Sequence, residues 1–205
     1  MKEITMPIFE KRKLLGGVFG AVATAAFIGP ALGAPAQNAR EQMRLKHFPN
    51  LELVTHEGKS VRFYDDILRD RKVVINFTYT VCSNICTPVT QNILGAQRLL
   101  KNLAKEISFY SISLTPLEDD PASLRDYMKT NNIDTGWTFL TGNPENIDKV
   151  RRGLGFAQQS PKADADISNH SGMLRIGNER LVSWGHAPAT TSDRAIARMI
   201  RFELG

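Results

Sequence analysis

The alternation of apolar and polar positions predicts a series of strands and helices from residue 51 to the C-terminus. Residues 51–55 and 60–63 alternate on either side of a turn that contains Gly58, which is typical of a β-hairpin. Residues 73–77 are a near-continuous apolar run, the pattern of a strand that is covered on both faces. We therefore expect residues 73–77 to form the central strand of a sheet.

The rest of the pattern adds helices on both sides of that strand. After Pro88, apolar residues recur at helical spacing as far as Leu103. The other predicted elements are a strand at 107–114, a helix at 121–131, a strand at 137–140, a helix from 143 to about 153, strands at 172–176 and 180–184 around a turn at 177–179, and a helix at 191–204. This order predicts an α/β fold with helices on both faces of one sheet.

The N-terminal segment has the composition of a targeting signal. Residues 11–13 are basic, residues 14–32 are apolar or small, and Ala34-Pro35-Ala36 offers small residues where a signal peptidase reads. We predict that residues 1–36 are a signal peptide, or an uncleaved membrane anchor through residues 14–32. We expect residues 37–50 to be a linker and residues 51–205 to be one exported domain in the periplasm or at the periplasmic face of the inner membrane.

Composition and charge exclude several classes of protein. The chain of 205 residues has ordinary amounts of Gly and Pro, which excludes a collagen-like or broadly disordered protein. Lys and Arg number 26 against 21 Asp and Glu, a surplus too small for the field that nucleic-acid binding needs. The acidic run at residues 118–120 is explained by the helix predicted to begin at Pro121, because a helix N-terminus attracts negative charge.

Two cysteines carry the most specific chemistry in the sequence. Cys82 and Cys86 follow the predicted central strand and precede the helix around Pro88. On a first helical turn this spacing places both sulfurs on one face, where the positive helix N-terminus favours the thiolate. A disulfide closing so short a loop adds only about 2 kcal/mol of stability. Redox exchange or metal binding is therefore favoured over a purely structural disulfide.

Several segments resemble one known family. Residues 77–86, which read Phe-Thr-Tyr-Thr-Val-Cys-Ser-Asn-Ile-Cys, resemble the CxxxC segment of the Sco/SenC proteins. Residues 111–121, the Trp-Thr-Phe-Leu-Thr-Gly run at 137–142 and the Asn-His-Ser run at 169–171 are similar to further segments of that family. The resemblance extends from about residue 51 to the C-terminus.

The resemblance implies a fold, a metal and a role. The implied fold is thioredoxin-like, with a central mixed sheet, helices on both faces and an N-terminal β-hairpin. The implied copper ligands are Cys82, Cys86 and His170, a donor set of two thiolates and one imidazole that suits copper. The implied role is an exported copper chaperone that delivers copper, as Cu(I) or Cu(II), to an apo copper protein of the respiratory chain such as cytochrome c oxidase subunit II.

The sequence departs from the family pattern at three positions. Ser83 and Thr87 stand where the family commonly has Pro, and Asn169 replaces the acid that usually precedes the ligand histidine. A second hypothesis remains open beside the chaperone. In it, Cys82 and Cys86 form the redox dithiol of a thiol:disulfide oxidoreductase that reduces client cysteines, with Cys82 attacking and Cys86 resolving.

Overall fold

A computed structural model describes residues 34–81, 86–133, 136–170 and 172–205, and only the backbone of residues 34–37, 168 and 170. Gly33–Gly205 form a compact unit. The predicted signal or anchor at 1–36 lies almost entirely outside the described residues. Within the described ranges, no helix has both the length and the apolar character needed to cross a membrane.

One mixed sheet of seven strands organises the described residues. Its strands are β1 (Glu52–Thr55), β2 (Ser60–Arg62), β3 (Lys72–Thr78), β4 (Ile107–Ser113), β5 (Trp137–Thr141), β6 (Met173–Asn178) and β7 (Ser183–Pro188). They lie in the order β2-β1-β5-β4-β3-β6-β7. β3 pairs parallel with β4 and antiparallel with β6, so the sheet is mixed. The predicted hairpin is confirmed as β1 and β2, and it joins the main sheet through β5.

Helices cover both faces of the sheet. They are α1 (Ala34–His47), α2 (Cys86–Leu100), α3 (Pro121–Thr130), α4 (Pro144–Gly153), α5 (Pro161–Ala165) and α6 (Asp193–Leu204). Alternate side chains of β3 enter two separate cores. Val74 packs with α2, α3 and α6, whereas Val73, Ile75 and Phe77 pack with α4 and with Phe48. The predicted α/β class is confirmed, because helices pack on both faces of the sheet and bury β3 from both sides.

Two segments differ from the sequence-based expectations. Residues 37–50, expected to be a linker, are helical as far as His47, and the buried Phe48 fixes this segment to the unit. The last strand was expected at 180–184 but is β7, because Glu179–Leu181 form a 3-10 turn instead. The Glu179 carboxylate explains this turn. It is 3% exposed and accepts hydrogen bonds from Arg40 Nε at 2.6 Å and from the Tyr64 hydroxyl at 2.7 Å.

Candidate metal centre

β3 carries the chain directly to the predicted dithiol. Every residue from Val73 to Thr78 is buried, so the strand is fixed in the middle of the sheet. Beyond it the chain reaches the surface at Val81, whose side chain is 68% exposed. Cys82 and residues 83–85 follow and lie outside the described residues. The position of Cys82 therefore stays a prediction, and the described chain resumes at Cys86.

Cys86 is the first residue of α2 and is almost fully buried, with 1% of its surface exposed. The N–H groups of a first helical turn have no carbonyl partner within the helix, and the helix dipole adds partial positive charge there. Both effects act in favour of a thiolate, whereas the burial of Cys86 acts against it. One turn further on, the Thr90 hydroxyl lies 2.9 Å from the Tyr127 hydroxyl and ties α2 to α3.

A buried carboxylate supports the segment that leads to Cys82. Asp119 is 0% exposed. Its oxygens accept hydrogen bonds from the Ser113 hydroxyl at 2.7 Å and the Thr115 hydroxyl at 3.1 Å. They also accept from both the backbone N–H and the hydroxyl of Thr80. Asp119 thus joins the segment after β3 to the end of β4. Its contact on the β3 side is Thr80, two residues before Cys82.

Asp119 corrects the interpretation of the acidic run. The explanation through a helix N-terminus holds for Asp120, which caps α3 by accepting a hydrogen bond from the Ser123 N–H at 2.7 Å. Its neighbour Asp119 points into the protein and bonds to two strand ends. The local sequence contains one usable signal, since Ser113 and Thr115 place two hydroxyls close to this acid along the chain.

His170 ends a short 3-10 segment, Ile167–His170, three residues before β6. The side chain of the preceding Asn169 donates a hydrogen bond to the Ala163 carbonyl of α5 at 3.0 Å. The Asn169 carbonyl accepts one from the Gln158 side chain at 3.2 Å. The Asn169 side chain therefore fastens this segment to α5 through a bond that a carboxylate could not make, because a carboxylate has no N–H to donate. The bond from Gln158 uses the main-chain carbonyl, which any residue would offer.

An ion pair anchors α5 in turn. The Arg151 side chain of α4 is 7% exposed and the Asp164 side chain of α5 is 8% exposed, with 2.8 Å between Arg151 Nη1 and Asp164 Oδ1. The Asp164 carboxylate also accepts from the Gln158 N–H at 2.8 Å. These hydrogen bonds, that from Arg151 first, hold the pKa of Asp164 below its usual value. The segment that ends at His170 is thus attached to α5 by Asn169, and α5 is attached to α4 by the buried pair of Arg151 and Asp164.

The sequence analysis missed this pair. Arg151 falls one residue after the buried Val150 and four after the buried Ile147, so it lies on the inward face of α4. A charged residue at a buried helical position is the signal that could have found it, because an arginine there requires a partner. Its partner Asp164, thirteen residues further along the chain, has no comparable signal.

The sheet brings the predicted ligand segments to one edge. β3 ends and β6 begins at this edge, and the two strands are direct neighbours with Asn76 opposite Leu174. The chain after β3 contains Cys82 and Cys86, and the chain before β6 contains His170. Among the side chains that the structure describes, no three His, Cys, Asp or Glu residues form a group able to hold a metal. The described part includes only one of the three predicted donor groups, that of Cys86.

Comparison with known sequences identifies related proteins. The sequence profile of the SCO1/SenC family matches residues 39–204. The SCO1 protein homolog of Bacillus subtilis (strain 168) is 29% identical over 124 residues, which are 59% of this chain and 63% of that protein. The chain thus matches somewhat less than two thirds of the length of this relative.

Solved structures share the fold. A SCO1/SenC family lipoprotein from Bacillus anthracis superposes with a TM-score of 0.60 at 20% identity, over 76% of this chain and 93% of that one. Copper-bound ScoI of Bradyrhizobium japonicum gives a TM-score of 0.57 at 23% identity, over 75% and 96%. BsSco, described as a member of the Sco family of cytochrome c oxidase assembly proteins with a disulfide switch, gives 0.59 at 20%, over 75% and 90%.

These structures confirm the thioredoxin-like fold expected from the resemblance. The profile match includes nearly all of Gly33–Gly205, from α1 to the last turn of α6. It also includes the cysteine segment, the Asp119 loop and the turn before β6. The chain belongs to the SCO1/SenC family.

Proposed function

We propose that this protein binds copper through Cys82, Cys86 and His170 and passes it to an apo copper protein of the respiratory chain, such as cytochrome c oxidase subunit II. The observation that carries the proposal is the antiparallel pairing of β3 with β6. The chain leaves β3 towards Cys82 and Cys86 at the same end of the sheet at which it enters β6 after His170. Copper-bound relatives with the same fold support the choice of metal.

The donor set suits the transfer of copper. Two thiolates and one imidazole are soft and intermediate donors, a combination that binds copper well. Cu(I) tolerates three ligands, so an acceptor protein can add a ligand before one of these three leaves. The burial of Cys86 at the start of α2 shields its sulfur from water until an acceptor approaches.

We place this activity outside the cytoplasm. The basic residues 11–13 and the uncharged segment 14–32 support export, with the segment removed as a signal or kept as an anchor. A lipoprotein among the relatives supports a position at a membrane surface. The periplasm or the periplasmic face of the inner membrane is the compartment that meets both conditions.

The test is copper stoichiometry and absorption spectra of the reduced full chain. We expect one copper per chain, and we expect Cys82→Ser, Cys86→Ser and His170→Ala each to weaken binding by more than about 100-fold, the upper end of the loss seen for outer-shell partners. His47→Ala is the matched control and should leave binding unchanged. Full affinity in His170→Ala with an unaltered spectrum would contradict the proposed ligand set.

A thiol:disulfide oxidoreductase is the second candidate, favoured by the position of Cys86 at a helix N-terminus. The Cys82 thiolate would attack a client disulfide and form a mixed disulfide, releasing one client thiol. Cys86 would then displace the second, leaving a Cys82–Cys86 disulfide and a client that has gained two electrons and two protons. If the reduced protein reduces a model disulfide no faster than a small dithiol does, this candidate is excluded.

A further inference from the structure

A cleft lies at the end of the sheet opposite the cysteine segment. It has a volume of about 580 Å³ and is formed by the start of β3, the start of β4 and the turn after β6. Lys72, the first residue of β3, pairs here with Ile107 and with Asn178. Since α2 begins at Cys86 and ends near this cleft, the length of α2, about 22 Å, separates the cleft from Cys86.

The cleft has an uncompensated positive charge. Its two acids are paired, Asp70 with Arg40 at 3.0 Å and Glu106 with Lys72 at 3.2 Å. Because Arg40 also pairs with the buried Glu179, these groups together keep one negative charge, which leaves a surplus of two positive charges from the cations below. Three further cations line or rim the cleft, all with exposed side chains: Arg71, Lys105 and Arg180. No described carboxylate lies within ion-pair distance of any of these three cations. We call these three residues, together with Leu181, the basic end.

An apolar side chain projects beside these cations. Leu181 lines the same cleft and is 73% exposed. Leu181 belongs to the 3-10 turn that begins at the buried Glu179. The Glu179 carboxylate holds this turn, because it accepts hydrogen bonds from the Asp70 N–H at 2.8 Å, from Arg40 and from Tyr64. A leucine held in water by a rigid turn and flanked by cations is the arrangement of surfaces that enter the boundary between lipid headgroups and acyl chains.

Helix α1 also contacts this end of the unit. Arg40 of α1 bonds to both Asp70 and Glu179, so the early part of α1 lies beside the basic end. Residues 14–32, the predicted signal or anchor, come directly before α1 in the sequence. The chain that follows the predicted anchor therefore contacts this end of the unit through Arg40.

We propose that the basic end docks on the surface of an anionic phospholipid bilayer. Arg71, Lys105 and Arg180 contact phosphate headgroups, and Leu181 enters the headgroup boundary. Docking in this orientation directs the start of α2 away from the lipid, where a protein that projects from the membrane can reach it. The proposal does not depend on copper, so it stands or fails separately from the proposed function.

Hydrogen exchange of the full chain on vesicles tests the docking. The vesicles contain either phosphatidylcholine alone or phosphatidylcholine with phosphatidylglycerol. We expect slower amide exchange in residues 103–108 and 178–182 on the anionic vesicles only, and a loss of this protection in 1 M salt, where charges are screened over about 3 Å. Because these amides report the docked state directly, a membrane anchor elsewhere in the chain does not mask the result.

Variants locate the contact. Lys105→Gln combined with Arg180→Gln should lower the ratio of docked to undocked domain about fivefold for each cation removed. The matched control combines Lys162→Gln with Arg194→Gln, two exposed cations near the cysteine end, and should keep the protection. Equal exchange on both kinds of vesicle overturns the proposal. Protection by soluble polyglutamate but not by anionic vesicles also overturns it, in favour of an acidic protein partner.

Discussion

Two buried carboxylates support the two parts of the candidate metal centre, and they differ in the donors that bond them. Asp119 supports the cysteine segment and is bonded by the hydroxyls of Ser113 and Thr115 and by Thr80, all of them neutral donors. Asp164 supports the histidine segment and is bonded by the guanidinium of Arg151, a charged donor. One carboxylate thus joins two strand ends at short range, and the other joins two helices through an ion pair.

The two supports therefore differ in the partner on which each of them depends. The bonds to Asp119 come from neutral donors and depend on where those hydroxyl and N–H groups lie, whereas the ion pair of Asp164 depends also on the charge of Arg151. The cysteine segment is therefore supported by hydrogen bonds from neutral groups, and the histidine segment by an ion pair. Three substitutions or conditions separate these two kinds of support, beginning with the largest expected effect.

Removing Arg151 should cause the greatest loss. Arg151→Met keeps most of the side-chain volume but leaves Asp164 buried without its principal cation, so we expect the free energy of unfolding to fall by about 3 kcal/mol. Urea unfolding followed by circular dichroism measures this change. The matched control is Arg152→Gln, because Arg152 also contacts Asp164 but its side chain is half exposed. A similar loss in both variants would show that burial of the pair is not what matters.

The Asp119 network should be weaker per substitution but closer to the thiols. Asp119→Asn turns two acceptors into one acceptor and one donor, and the Thr80 N–H cannot reverse its role, so we expect a loss of about 2 kcal/mol. Alkylation of Cys86 in the reduced protein should become faster as the end of β3 loosens. Asp120→Asn is the control, because asparagine also caps helices well. Unchanged alkylation in Asp119→Asn would contradict the role of Asp119 in supporting the cysteine segment.

Acid should weaken the ion pair of Asp164 with Arg151 only at low pH. The pKa of Asp164 is lowered in the folded protein by Arg151 and by the Gln158 N–H. Its stabilising contribution is therefore complete above the unfolded pKa, near 3.8, and is lost as the pH falls through the folded value. The stability advantage of wild type over Asp164→Asn should be constant from pH 7 to pH 5 and should shrink by about 1 kcal/mol between pH 4 and pH 3. A constant advantage down to pH 3 would contradict the ion-pair account.

Long apolar runs made the centre of the fold predictable. β3, β4 and α2 follow from their sequences, because an element buried on one or both faces must be apolar at the matching period. The last strand was misplaced because Glu179, in the expected turn, is drawn inward by Arg40 from 139 residues away. A local pattern cannot include such a partner, and the same is true of the helix found in place of the expected linker.

The candidate site divides in the same way. The placement of Cys86 at a helix N-terminus after the central strand follows from local sequence alone. The grouping of the cysteine segment with the His170 segment does not, because it depends on the pairing of β3 with β6, which hydrophobic periodicity does not encode. Only the resemblance to a known family indicated that these segments act together.

That pairing has a consequence for how the molecule is made. Asn76 and Leu174 are opposite one another in the sheet but far apart along the chain, and such non-local contacts form late in folding. A ribosome therefore releases the cysteine segment well before its neighbouring strand exists. Until β6 docks, the edge of β3 is bare and the dithiol has no histidine segment beside it. In a chain whose sheet is still incomplete, the segment after β3 therefore lacks the neighbour that β6 provides.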